Sequence, residues 1–239
     1  ICERYVDEQG RVFLVVQFLA MACDVFRNEL LAALKKHCAP YGIYERDDAD
    51  VRLKEGLSEV SGWIGERRSS EITIIENGIK LCVDIANGQK TGYFLDQKDN
   101  RVVASAFCHG KSVLDTFTHT GAFGLNAVRA GAKSVISADI SPEAVDMVRR
   151  NIALNGAENV MTAVCADVFD LLKQYEAEGR RFDVIILDPP AFAKSAKAIQ
   201  KAYGGYKEIN LRAMRLLNSG GILITCSCSH FFDSHYFYD

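Results

Sequence analysis

The stretch KSVLDTFTHTGAFGLNAVRAGAKSVISADISPEAVDMVRRNIALNG, Lys111 to Gly156, decides the fold. "KSVLDTF" and "KSVISADI" are short β-rich runs, while "GLNAVRAGA" and "PEAVDMVRRNIALNG" carry apolar residues at helical spacing. Ser141, Pro142 and Glu143 make a good helix start: a cap, a proline whose missing N–H costs nothing there, and an acid near the positive helix end. The alternation continues through "NVMTAVCAD", "VFDLLKQYEAEG", "FDVIILDPP", "YKEINLRAMRLLN" and "GGILITCS". Strand and helix taking turns predict right-handed βαβ units around a parallel sheet. Residues 85–239 are therefore expected to form a doubly wound α/β domain, with ligands at the carboxyl ends of its strands.

Those ends carry chemistry. The first strand ends at Asp115, followed by "TFTHTGAFG", where Gly121 and Gly124 flank the next helix entry. Phe117 and His119 stand where a dinucleotide loop needs small residues, so a pyrophosphate is not expected. The second strand ends at Asp139, placed to accept hydrogen bonds from a ribose. The third ends at Asp167, with Val168 and Phe169 as an apolar wall. Each acid alone reads as a helix cap or loop residue. Together they describe a pocket for a ribose, an adenine and a cationic amino-acid tail.

The fourth strand ends in Asp188, Pro189, Pro190, Ala191 and Phe192. Two prolines stiffen that loop, and Phe192 is available to stack on a planar substrate. The fifth strand brings Cys226 and Cys228. Strand parity puts Thr225, Ser227 and Ser229 on one side and both cysteines on the other. Cys226 reads as packing. Cys228, nearer the carboxyl end, is the candidate nucleophile, since a thiol is reactive even when only a small fraction is ionised.

The totals set bounds. The chain has 239 residues, 49% apolar and 25% charged, enough for one or two cores. Its net charge of −3 counts against a basic nucleic-acid binder, although a local groove or a further domain would do that work. Eight cysteines lack any C-x-x-C pair, which argues against a zinc site and for free thiols in a reducing cytoplasm. No apolar run approaches the roughly 20 residues of a membrane span. The first residue is Ile rather than Met, and the chain stops in "FFDSHYFYD", so it reads as a piece of a longer protein.

Residues 1–84 are expected to be a small α+β domain. "GRVFLVVQFLA" reads as a strand, and "DVFRNELLAALKKHC" as a helix with Asp24 as N-cap and Phe26, Leu30, Leu31 and Leu34 on its apolar face. "GIYERDDADVRLKEG" reads as charged and mostly exposed. "EITIIENGIKLCVDI" reads as a hairpin about its Asn-Gly turn.

"VLDTFTHTGAFG", "SADIS", "CADVF", "ILDPPAF" and "TCSCSH" resemble the motifs of class I S-adenosylmethionine-dependent methyltransferases. More narrowly, "GQKTGYFLDQKDNR", "YGGYKEINLRAMRLLN" and "SCSH" look like the RlmI-like family of ribosomal RNA cytosine-C5 methyltransferases, over the whole chain. The resemblance implies a Rossmann-like methyltransferase domain, truncated at its C-terminus. The family's central domain would precede it, and the family's N-terminal PUA domain would be missing. It implies S-adenosylmethionine as cofactor, no metal, and large-subunit ribosomal RNA as partner.

The resemblance also assigns residues. Cofactor contacts would come from Gln89, Thr91 and Phe94 in a closing segment, and from Asp115, Phe117, Thr118 and Gly121 at the methionine end. Asp139 would hold the ribose and Asp167 the adenine, and Ile140, Val168 and Asp188 would also touch the cofactor. Substrate contacts would come from Pro189, Pro190, Phe192 and Arg101. Cys228 would add to cytosine C6 and Asp188 would hydrogen-bond N3. Other RNA cytosine-C5 methyltransferases carry a second cysteine in the fourth-strand motif. This chain reads D-P-P-A-F there, which leaves open what removes the C5 proton. Two other readings stand beside this one: base N-methylation of guanine or adenine at the D-P-P-A-F loop, and a non-catalytic RNA-binding module.

Overall fold

A computed structural model of the protein describes residues 1–193, 195–229, 231–232 and 234–237. The chain divides into two compact units, Ile1–Asp96 and Gln97–Asp239, with the segment 85–96 in the first.

In the first unit, β1 (Cys2–Val6), β2 (Val12–Val16), β3 (Gly42–Asp47) and β4 (Val60–Trp63) form one sheet in chain order. β2 and β3 pair in parallel, which requires a crossover, and α1 (Met21–Val25) and α2 (Arg27–Cys38) supply it. A short α3 (Val51–Lys54) follows β3. β5 (Glu71–Glu76) and β6 (Ile79–Asp84) form the expected hairpin, and Asn77 and Gly78 both have positive φ (52° and 74°), as a type I′ turn requires. Asp24 is not a cap. It lies inside α1, and its carboxylate holds Arg52 at 3.0 Å. Of the predicted apolar face only Leu31 is buried in α2; Phe26 and Leu30 are exposed.

The charged stretch from Gly42 is not mostly exposed. Glu45, Asp47 and Arg52 are 3%, 0% and 3% exposed, because β3 turns alternate residues inward and each charge finds a partner. Arg27 reaches Glu45, and Arg52 reaches Asp47 at 2.9 Å. Charges are buried at tolerable cost only when paired in this way.

In the second unit, α4 (Lys98–Ser105) precedes β7 (Ser112–Thr116), α5 (Ala122–Arg129), β8 (Ser134–Asp139), α6 (Pro142–Leu154) and β9 (Met161–Cys165). Then come α7 (Val168–Ala177), β10 (Phe182–Leu187), α8 (Ile199–Arg215), β11 (Leu217–Thr225) and a last turn, α9 (Ser234–Phe237). The five strands are parallel, in the order β11-β10-β7-β8-β9. The chain runs outward from β7 to β9, then crosses back to lay β10 on the other side of β7. That reversal opens a crevice at the carboxyl ends of β7 and β10, where such folds bind ligands. Val113, Leu114, Val184, Ile185, Ile186 and Leu187 are each 1% exposed or less, as central strands covered on both faces should be.

Candidate active site

The loop after β7 is built by backbone conformations that side chains ordinarily avoid. Phe117 and His119 have φ of 55° and 53°, and Gly121 has φ 81° at the N-cap of α5. Holding two non-glycine residues there costs on the order of 1 kcal/mol or more each. The result is a tight wrap in which the His119 N–H donates to Asp139 Oδ2 at 2.9 Å, tying the end of β7 to the end of β8.

Asp115 lies beneath this loop and is fully buried. Its Oδ2 accepts from Thr118 Oγ1, from Ser137 Oγ at 2.9 Å and from the Gly124 N–H at 3.0 Å. Its Oδ1 is buried with no hydrogen-bond partner among the described residues. Burial pushes the carboxyl up to about 6, against the pull of those three donors, and the nearby Asp188 adds to the rise. Gly124 makes the arrangement possible: a Cβ there would stand 2.5 Å from Ser137 Oγ and 3.1 Å from Asp115 Oδ2. Burial also holds the His119 imidazole below its ordinary value; Asp139 opposes that shift and Arg101 reinforces it.

At the end of β8, Asp139 accepts a backbone N–H on each oxygen, from His119 and, at 3.0 Å, from Ser141. Ile140 beside it is 64% exposed, an apolar side chain with no core to enter. Ser141 caps α6 as the sequence predicts, accepting from the Ala144 N–H at 3.1 Å. Asp167 is exposed and is the N-cap of α7, its Oδ1 accepting from the Phe169 N–H at 2.8 Å. Val168 is 2% exposed and belongs to the hydrophobic core rather than to a pocket wall.

These residues fit S-adenosylmethionine. Ribose hydroxyls and an ammonium need acceptors, and the Asp139 oxygens and the orphaned Asp115 Oδ1 are acceptors with lone pairs to spare. The exposed Ile140 offers a flat base an apolar neighbour. Across β7, β10 leads into Asp188-Pro189-Pro190, where Pro189 is buried and Pro190 exposed. The Thr116 hydroxyl clips the two strands together by donating to the Ile186 carbonyl at 2.9 Å.

Both cysteines lie just past the last residue of β11. The Cys226 N–H still continues the ladder, donating to the Leu187 carbonyl at 2.8 Å. Its thiol is pushed up to about 12, first by burial, then by Asp188 and Cys228. Cys226 is therefore a protonated thiol at neutral pH. Cys228 is exposed, with Sγ 3.7 Å from the Pro189 carbonyl. Ser227 and Ser229 turn the other way, toward Tyr206, as strand parity requires. His230, which completes the S-C-S-H segment, lies outside the described residues.

Other expected contacts sit differently. Phe192 is half-buried, with its ring 4.7 Å from Tyr206 and 5.9 Å from Phe169, so packing occupies much of it. Arg101 is 2% exposed on α4, with its guanidinium 6.0 Å from the Phe123 ring centroid. Gln89, Thr91 and Phe94 fall in the first unit. Gln89 is exposed; Thr91 is buried against Glu3 and Tyr5, and Lys90 stands over Phe94 at 5.2 Å. An open hollow of about 460 Å³ in the second unit is lined by Val103, Phe123, Thr225 and Cys226, and by neither Asp139 nor Asp167. Among the described residues no group of three His, Cys, Asp or Glu is placed to hold a metal, and no helix is long and apolar enough to cross a membrane.

A parallel sheet with acids at its first three carboxyl ends defines a Rossmann-like nucleoside-binding enzyme. Residues 53–237 match the family model of the S-adenosylmethionine-dependent methyltransferases, and the chain belongs to that family. It is 48% identical over 226 residues to a ribosomal RNA large subunit methyltransferase I of Shewanella amazonensis. It is 47% identical over 219 residues to the protein of that name from Aeromonas salmonicida. These alignments cover 94% and 91% of this chain but 57% and 55% of the relatives, so the chain spans little more than half their length. Among solved structures it resembles SMU.776 in complex with SAH, at TM-score 0.79 and 26% identity, over 95% of this chain and 58% of that one. The tRNA m1G37 methyltransferase of M. jannaschii shares the fold at TM-score 0.64 and 21% identity, over 93% of this chain and 59% of that one.

Proposed function

We propose that the protein methylates cytosine C5 in large-subunit ribosomal RNA, in the cytoplasm, with Cys228 as nucleophile. The observation that carries this reading is the Cys228 thiol, exposed beyond β11 and beside the Pro189 carbonyl, while Cys226 is held protonated. The relatives' names supply the ribosomal RNA, and eight cysteines with no disulfide suit a reducing compartment.

When bound, S-adenosylmethionine supplies an electrophilic methyl group. Asp139 would accept from its ribose, Asp167 and Ile140 would border its base, and Asp115, Phe117, Thr118 and Gly121 would enclose its amino-acid end. Cytosine C5 is a poor nucleophile by itself. The Cys228 thiolate forms a bond to C6, and the C5–C6 π pair becomes an enamine pair able to take the methyl group at C5. Asp188, taking up a proton as the base enters, donates it in a hydrogen bond to N3 where the negative charge develops. A solvent water then takes the C5 proton, the C5–H pair re-forms the C5–C6 double bond, and the S–C6 pair returns to sulfur as the thiolate leaves. The rigid Pro189-Pro190 turn and Phe192 hold the wall against which an extruded base rests.

The test uses the full chain, undermodified ribosomal RNA and methyl-labelled S-adenosylmethionine, with nucleosides analysed by mass spectrometry. Label in 5-methylcytidine that vanishes with Cys228→Ala is the expected result. Label in an N-methylated purine, or label that survives the substitution, overturns it.

A further inference from the structure

Cys228 lies three residues beyond the last residue of β11. Pairing with β10 ends at Cys226, and residues 226–229 have no regular structure. A nucleophile on such a segment needs another restraint, because a displacement of about 1 Å costs on the order of a hundredfold in rate.

The restraint comes from α8. Tyr206 is 4% exposed, its ring packed 4.5 Å from Phe232 and 4.7 Å from Phe192. Its phenol oxygen meets the hydroxyls of both neighbours of Cys228: Ser227 donates to it at 3.0 Å, and it shares a hydrogen bond of 2.9 Å with Ser229. Ser229 Oγ also accepts from the Ala193 N–H at 3.2 Å, and the Ser229 N–H reaches Ser227 Oγ at 3.4 Å. One phenol thus joins the segment carrying Cys228, the loop carrying Pro189 and Pro190, and α8. Residues 227 and 229 are both held on Tyr206, while the Cys228 Sγ between them lies 3.7 Å from the Pro189 carbonyl.

We infer that Tyr206 is a positioning residue: its hydroxyl clamps Ser227 and Ser229 and so aims the Cys228 thiol. The inference rests on Cys228 being the nucleophile. Tyr206 touches no reacting atom in this scheme, and its role is to hold a geometry.

Tyr206→Phe keeps the ring and deletes the clamp. In the full chain its kcat for methyl transfer to ribosomal RNA should fall roughly tenfold or more. KM for S-adenosylmethionine and the rise in Tm on adding S-adenosylhomocysteine should stay as in wild type. Ser227→Ala with Ser229→Ala should give the same loss, and adding Tyr206→Phe to that pair should cost nothing further, since all three act through one network. Should Tyr206→Phe prove too unstable to assay, Ser227→Ala, which leaves the ring packing intact, makes the same kcat test. A kcat within about twofold of wild type alongside an inactive Cys228→Ala overturns the inference and leaves the nucleophile standing. Additive losses also overturn it. An active Cys228→Ala removes both.

Discussion

Asp115 shows how one buried carboxyl shapes the protein's response to pH. Its folded-state value of about 6 lies above the usual carboxylate range because three donors to a single oxygen do not offset full burial. A raised folded value means that the native state holds the proton more tightly. The stability this gives is complete below the unfolded value of about 4 and is lost as pH rises through about 6. Across that window wild type should lose stability relative to Asp115→Asn, with a limiting slope of about 1.4 kcal/mol per pH unit. Urea unfolding at a series of pH values measures this, and parallel profiles would refute it. A bound ammonium near Oδ1 would favour the ionised form, so cofactor should flatten the wild-type profile.

At the scale of elements, close approach and buried charge decide what a substitution costs. Gly124→Ala would drive a methyl group into Ser137 Oγ, into Met161 Cε at 2.7 Å and against Asp115. Displacing the start of α5 should cost about 1–3 kcal/mol and weaken S-adenosylhomocysteine binding together with it. Calorimetric affinity unchanged from wild type would contradict the link between helix and ligand. In the first unit, Arg52→Ala strands Asp47, which is 0% exposed, although its bond from the Phe18 N–H at 2.6 Å remains. The expected loss is about 3–5 kcal/mol in denaturant unfolding, and Arg52→Met with Asp47→Leu should recover much of it. Those same elements mark what the sequence discloses. Local rules predict Ser141 at its cap and Asn77-Gly78 at its turn because each is satisfied within a few residues. The row of acids at strand ends is legible for a similar reason: strand ends follow from alternation, and alternation is a short-range pattern. Burial of Glu45 and Arg52 was not legible, since their partners Arg27 and Asp24 come from a separate helix pair. Nor was the length of α8, which runs from Ile199 through Gly204 and Gly205. Room for Gly205 matters only once the Phe192 ring, 3.2 Å from where a Cβ would stand, has been placed beside it. Arg101 and Phe192 were expected on the substrate, and packing within the second unit accounts for much of their surface.

At the scale of the whole molecule, the question is whether the first unit takes part in cofactor binding. Each unit has its own apolar core, around Leu14, Leu31 and Ile43 in one and Leu114, Ile185 and Ile209 in the other. With two cores, a ligand held by the second unit alone would stabilise that unit alone. The segment from Gln89 to Phe94 makes a different outcome testable. Gln89 is exposed, and replacing an exposed side chain by Ala ordinarily changes stability by no more than about 0.5 kcal/mol. If it contacts the cofactor, Gln89→Ala should weaken S-adenosylhomocysteine binding about tenfold, the loss of one hydrogen bond to a charged or polar ligand, while the urea midpoint stays fixed. An unchanged affinity would assign the cofactor to the second unit alone. The G-Q-K-T-G turn, closed by the Gly92 N–H on the Gln89 carbonyl at 2.8 Å, would then serve the fold of the first unit rather than the chemistry of the second.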